Sequence, residues 1–469
     1  MADYRTEKDS LGEKQVPAEA YYGIQSLRAR ENFPISRHKA HPVFVWSIVQ
    51  IKRAAANVHK ALGLLDAERA DAIVAAADEV LEGRFDEHFI IDVYQAGAGT
   101  SQNMNANEVI ANRANELLGI PKEQRTGRKV HPNDDVNKSQ STNDVIPCAI
   151  RVASLRLLPD FEKSLREMIA ALRAKEKEFD GIVKSGRTHL QDAVPVRLGQ
   201  EFGGYADALE SFLPRLEMAK RDMGRLGIGG SAAGTGMNVH PDYRGKMVAE
   251  IKKHLGYEVV QAPDYFAAMQ SNHDAVFLSN VVAGIAIELT RIANDIRLMA
   301  SGPRTGFAEV VLPAVQPGSS IMPGKVNPSM AEMLNQVCFQ VLGYSTAVNY
   351  AAQAGQLELN VMMPMMANDI IEMLEILGNA MSAFTTRCIT GIKADPERCR
   401  WYAENSLSMV TALNTFIGYD KAAEVAKEAV ATGKSLREVI LAKQLISESD
   451  LDKVFDLMPL TEPGIPKAK

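Results

Sequence analysis

Cysteine is scarce. Cys148, Cys338, Cys388 and Cys399 are scattered along 469 residues, and none forms a CxxC pair. That excludes a disulfide framework as the source of stability and fits a reducing, cytoplasmic setting. Basic excess is missing too. A net charge of -6 and a pI near 5.9 argue against a nucleic-acid footprint. They leave room for an anionic small molecule held by a few local cations. The N-terminal MADYRTEKDSLGEK has no apolar stretch of the signal-peptide kind. No run is read as approaching the roughly 18 apolar residues of a membrane span. The nine histidines show neither HxH nor HExxH spacing, so no metal site is expected. His38 and His41 read as exposed loop residues. His131, His240, His254 and His273 have no evident partner in the sequence.

What the chain does have is helical period. Leu278, Ile285, Ile292 and Met299 recur every seven residues between Asp274 and Ser301, interleaved with Val282, Leu289 and Ile296. Together they predict one apolar seam on a long helix, stopped by Gly302 and Pro303. Leu158, Phe161, Leu165, Met168, Leu172 and Phe179 predict a second such helix. A third is expected from Asn327, as N-cap, with Pro328 at the first helical position. A fourth covers Leu359 to Phe384, with the methionines from Met362 to Met366 read as core. Strand-like alternation is short wherever it occurs. The fold class is therefore mainly all-α, with a central bundle of long helices. Expected domains are residues 1–139, 140–394 and 395–469.

Four stretches break the helical pattern and concentrate small polar residues: Gln95–Ser101, Ser139–Asp144, Gly186–Asp192 and Gly318–Pro328. Hydroxyls, amides and glycine-freed backbone N–H groups suit carboxylate recognition. Taken alone, Ser141 and Thr142 serve equally well as helix caps. Two nucleotide readings fail. Gly318–Lys325 has five residues between its glycines and Val326 where a phosphate loop needs Ser or Thr. Gly227–Gly234 follows a helical segment, not a strand, and its glycine spacing is imperfect.

The segment GSSIMPGKVNP, residues 318–328, resembles the signature of the aspartase/fumarase superfamily. The likeness runs through LGEKQVPAEAYYGIQSLRA, GAGTSQNMNANEVIANRA, HPNDDVNKSQSTND, GRTHLQDAVP, GTGMN, GQLELNVMMP and ALNTFIGYDKAAEVAKEA. It implies a three-domain helical protomer and a homotetramer with a twenty-helix core. Active sites would be shared by three subunits and work without a cofactor. Tyr21-Tyr22-Gly23, Gly97-Ala98-Gly99-Thr100 and Ser141-Thr142-Asn143 resemble aspartate ammonia-lyases. Class II fumarases typically show Tyr-Trp-Gly, Gly-Ser-Gly-Thr and Ser-Ser-Asn at these places. The C-terminal LNTFIGYDKAAEVAK leans the other way, towards fumarase.

The resemblance implies deamination of L-aspartate to fumarate, with hydration of fumarate as the alternative. It makes Ser319 the general base, and pairs His189 with Glu332 to fix the imidazole tautomer. Thr100, Ser141, Thr142 and Ser320 would form the β-carboxylate pocket. Thr188, Lys325 and Asn327 would clamp the α-carboxylate, and Asn143 and His189 would adjoin the amino group. Gly318, Pro323 and Gly324 flank the base, so the loop is expected to close over substrate.

Overall fold

The computed structural model describes residues 3–124 and 126–464. The outermost residues of the first and third expected domains lie outside the described residues. Two compact units emerge: 1–162 with 212–286 and 339–378, and 163–211 with 287–338 and 379–469. Four of the five divisions fall inside long helices, Thr142–Glu178, His273–Met299, Ser329–Gln353 and Met363–Arg387. Strands are short and, among the described residues, pair only two at a time.

The predicted seam is buried throughout. Leu278, Val282, Ile285, Leu289, Ile292, Ile296 and Met299 all lie in the core, as do Leu158, Phe161, Leu165, Met168, Leu172 and Phe179. Each such side chain contributes roughly 1.5–3 kcal/mol of transfer free energy. Polar contacts set helix register. In the first unit Ser279 and Ser345 share a 3.0 Å hydroxyl bond, and in the second Asn335 donates to Asn294 at 2.8 Å. Positions rise along one helix as they fall along the other, so the two run antiparallel.

Three expectations about these helices need correction. Helix His273–Met299 is by length and composition apolar enough to cross a membrane. Its apolar seam is instead buried in protein, and Glu288, Arg291 and Asp295 lie on its other positions. The third helix begins at Ser329, not at Pro328. Asn327 therefore lies one residue before the cap position, and its side-chain NH2 donates to Gly318 O at 2.6 Å within the loop. Of the methionine run, Met363 and Met366 are core, but Met362 is exposed.

In the first unit the hairpin Tyr4–Asp9 with Gly12–Pro17 precedes helix Ile24–Asn32. Glu108, buried on helix Thr100–Leu117, accepts from Gly23, Gln25 and Ser26 N–H groups and satisfies that helix start. A β-carbon at Gly23 would stand 2.8 Å from the Glu108 carboxylate, so a larger residue would have to displace it from these bonds. The second unit has its own C-terminal core of Leu413, Val425, Val439, Ile440, Leu451 and their neighbours. All four cysteines are free and buried. His41 is less exposed than expected. It caps helix Pro42–Ala61 by accepting from Val43 N–H, and its Nε2 lies 2.9 Å from Glu375.

Candidate active site

The first unit holds Thr100, Ser141, Thr142 and Asn143. Gly99, at φ +84°, turns the chain so that Thr100 opens its helix exposed. A β-carbon on Gly99 would meet Ile146 at 2.9 Å, which places this helix start against the start of Thr142–Glu178. One turn on, Asn103 donates to Thr142 Oγ1 at 3.1 Å. Ser141 Oγ accepts from Asn143 N–H, and Ser141 N–H donates to Asp144. The turn thus caps its helix and also presents its side chains; the two readings of Ser141 are compatible. Asn143 donates to Ala232 O at 2.8 Å.

Beneath this turn lie charges that sequence reasoning missed. Asp144 is fully buried and accepts three backbone N–H bonds of 2.9 Å, from Ser141, Gly229 and Ser231. Burial raises its carboxyl to about 6, against the pull of those donors and of Lys52. Lys52, also fully buried, donates to Asn137 Oδ1 at 2.7 Å and Gln140 Oε1 at 3.0 Å. Burial lowers its ammonium to about 7 although Asp144 opposes the shift. The only available signal was the Ser139–Asp144 stretch itself, in which Ser141 and Thr142 read as helix caps and Asp144 carries no legible role.

The second unit holds the remaining candidates. Strands Val183–Thr188 and Gln191–Arg197 form a hairpin whose two-residue tip is His189-Leu190, at φ +56° and +59°. Such left-handed pairs match the twist of a tight hairpin but suit Asn and Gly better than His and Leu. Thr188 and His189 are both exposed there. The hairpin base is anchored firmly. Glu309, fully buried, takes Lys184 and Arg187 at 2.8 Å each, and Glu201 also pairs with Lys184. Arg187 further stacks over Phe307 at 4.2 Å.

The loop from Gly318 to Pro328 is mostly exposed. Its Ser319 Oγ accepts from Met322 N–H at 3.0 Å and from Ile321 N–H at 3.3 Å. Gly318 packs so closely on Lys325 O that a β-carbon would stand 1.9 Å away. With Gly324 at φ +82° and the Asn327 bond to Gly318, this closes the loop on itself. Among the described residues, neither Lys325 Nζ nor Ser320 Oγ has a hydrogen-bond partner. Glu332 sits half-buried in the first turn of its helix. Within the chain it shares no hydrogen bond or ion pair with His189 among the described residues.

The discounted glycine segment needs one correction. A two-residue strand, Arg225–Leu226, does precede Gly227, paired in parallel with Val260–Gln261. No helix opens after the glycines, however. The Gly229 and Ser231 N–H groups serve the protein's own Asp144.

Comparison with known proteins identifies the family. The family described as Lyase matches residues 12–343, and the one described as Fumarase C C-terminus matches 409–462. An aspartate ammonia-lyase of Bacillus subtilis (strain 168) is 45% identical over 99% of this chain and 97% of its own. A class II fumarate hydratase of Halobacterium salinarum is 49% identical over 99% and 98%. Among solved structures, a fumarate lyase:delta crystallin from Brucella melitensis bound to cobalt superposes with a TM-score of 0.93. It is 45% identical and covers 98% of this chain and 100% of its own. A class II fumarase from Schistosoma mansoni gives the same TM-score at 35% identity, covering 98% and 99%. The chain belongs to the aspartase/fumarase superfamily of lyases. Ammonia-lyases and hydratases stand at similar identity, so membership alone does not choose between them.

Proposed function

We propose that this chain catalyses the reversible deamination of L-aspartate to fumarate and ammonia. The observation that carries the reading is the Ser319 loop. A serine hydroxyl is a poor base in water, and its alkoxide becomes accessible only where donors already meet the charge. Two backbone N–H groups point at Ser319 Oγ, and Lys325 stands unpaired in the same loop.

In this reading Ser319 takes the proton from the carbon beside the β-carboxylate. The C–H electron pair moves into that carboxylate and makes an aci-carboxylate with two negative charges. Hydroxyls of Thr100, Ser141, Thr142 and Ser320 donate to it as charge develops. Collapse forms the double bond and expels ammonia, which leaves from the substrate ammonium already carrying its protons. Thr188, Lys325 and Asn327 hold the α-carboxylate. Asn143 and His189 adjoin the amino group, with Glu332 orienting His189. These segments meet in a homotetramer, each site drawing on three subunits and the long helices forming a twenty-helix core. This arrangement would supply the His189–Glu332 contact between chains.

A second reading, class II fumarate hydratase, draws on the Halobacterium relative and the fumarase C-terminal family match. Hydroxide is a far worse leaving group than ammonia and needs protonation in the transition state. Ala98 and Thr142 stand where the ammonia-lyase set has them. Ultraviolet absorbance of fumarate formed from L-aspartate and from L-malate, at matched concentration, separates the two. Strong signal from aspartate and little from malate is expected. Comparable or faster formation from malate overturns the ammonia-lyase reading.

A further inference from the structure

Segment 227–236 is built around close approaches. Gly227 packs on the Ala268 side chain, Gly229 on Arg244 and Gly230 on Met269, each leaving under 3 Å for a β-carbon. Gly229 and Ser231 adopt left-handed φ of +89° and +59°. Arg244 donates to Gly229 O and Gly234 O from beneath and stacks on Tyr265 at 3.8 Å. Successive N–H groups in such a turn make an anion-binding concavity. Here the anion is internal, because Asp144 Oδ2 accepts from both Gly229 and Ser231 while Oδ1 holds Ser141 N–H. The same loop accepts from Asn143 through Ala232 O. On the other side Lys52 and Asn103 both reach Asn137 Oδ1, Lys52 also reaches Gln140, and Asn103 reaches Thr142.

We infer that Asp144 is a positioning residue: its buried carboxylate locks the Ser141–Asn143 turn to the Gly229–Ala232 loop, so that the turn meets the substrate carboxylate preformed. Lys52 clamps the start of the turn and supplies the buried countercharge. This deepens the proposed function and rests on its assignment of Ser141 and Thr142 to carboxylate recognition. Neither residue touches substrate in this scheme; both act through the turn.

Asp144→Asn keeps the shape but leaves an amide NH2 facing either Ser141 N–H or the Gly229 and Ser231 pair. In the assembled enzyme, kcat/KM on whichever of L-aspartate or L-malate is turned over should fall at least about tenfold. The discriminating readout is a double-mutant cycle. Losses from Asp144→Asn and Ser141→Ala should fall several-fold short of multiplying, because both disable one element. Losses from Asp144→Asn and Thr188→Ala should multiply. A kcat/KM within twofold of wild type, or equal multiplication in both cycles, overturns the inference. Should Ser141→Ala itself be silent, the assignment of the turn falls and this inference with it. A second measurement needs no variant. Amide hydrogen exchange of the wild-type enzyme should slow on succinate addition in peptides covering 139–146 and 227–234 together. Slowing confined to 139–146 counts against the lock.

Discussion

The two groups of candidate residues are built on opposite plans. In the first unit the Ser141–Asn143 turn rests on two fully buried charges, a buried asparagine and a glycine loop 85 positions away. In the second unit the Ser319 loop is mostly exposed, and its hydrogen bonds run largely within itself. The hairpin bearing Thr188 and His189 lies between these extremes, anchored at its base by Glu309 and exposed at its tip. A pocket for a carboxylate works best when its donors are fixed in advance, since reorganising them costs transition-state stabilisation. A segment that carries the base must admit substrate and then exclude water, and few external anchors suit that.

The sharpest test of this contrast is Ser319→Ala. It removes one hydroxyl from a loop with few outside contacts. Turnover should fall at least about a thousandfold while stability stays within about 0.5 kcal/mol of wild type. Initial rates and thermal unfolding check both, and molecular mass in solution verifies assembly. Near-normal rates in a correctly assembled protein remove Ser319 as the base.

The next test asks whether exposed segments are completed by other subunits. Thr188→Ala and Lys325→Ala should each be nearly inactive, yet a mixture refolded together should recover up to about a quarter of wild-type activity by random assembly. No recovery in verified mixed tetramers would argue for sites held within one chain.

A smaller effect concerns the buried side. His59 is fully buried, stacks on Tyr243 at 5.0 Å and, among the described residues, has no hydrogen-bond partner for either ring nitrogen. Burial, with some help from Lys138, lowers its imidazole to about 4. The unfolded chain takes up a proton below its ordinary value of 6.5 that the folded chain refuses. Stability from this group is therefore complete above that value and drains away as the pH falls towards 4. At pH 4.5 the loss should be roughly 2 to 3 kcal/mol. His59→Phe keeps the stacking and should flatten this acid arm in urea unfolding. Parallel pH curves for the two proteins would show that His59 plays no such part.

The smallest effect belongs to the hairpin tip. Leu190 is 66% exposed at φ +59°, a conformation that costs a branched side chain energy and returns little burial. Leu190→Gly should leave thermal stability unchanged or raise it by up to about 1 kcal/mol. A clear loss would mean that Leu190 is packed against something in the assembled enzyme.

The long helices were legible in the residues because their signal is local: apolar positions every three or four residues must share a face, whatever surrounds them. The family signature was legible for a related reason, since a tight loop such as Gly318–Pro328 needs its glycines and asparagine at fixed offsets. The tertiary structure decided what no local pattern encodes. Asn327, read as a cap, lies outside the helix that starts at Ser329 and donates its NH2 to Gly318 O across the loop. Asp144, with no role legible in the sequence, is the internal anion for a glycine loop that itself fails as a nucleotide site. Lys52, in the middle of an ordinary helix, became a buried charge beneath the Ser141–Asn143 turn. Buried polar groups must find partners, and those partners come from segments far apart in the chain. Composition and spacing state which groups need partners; only the fold states which ones they meet.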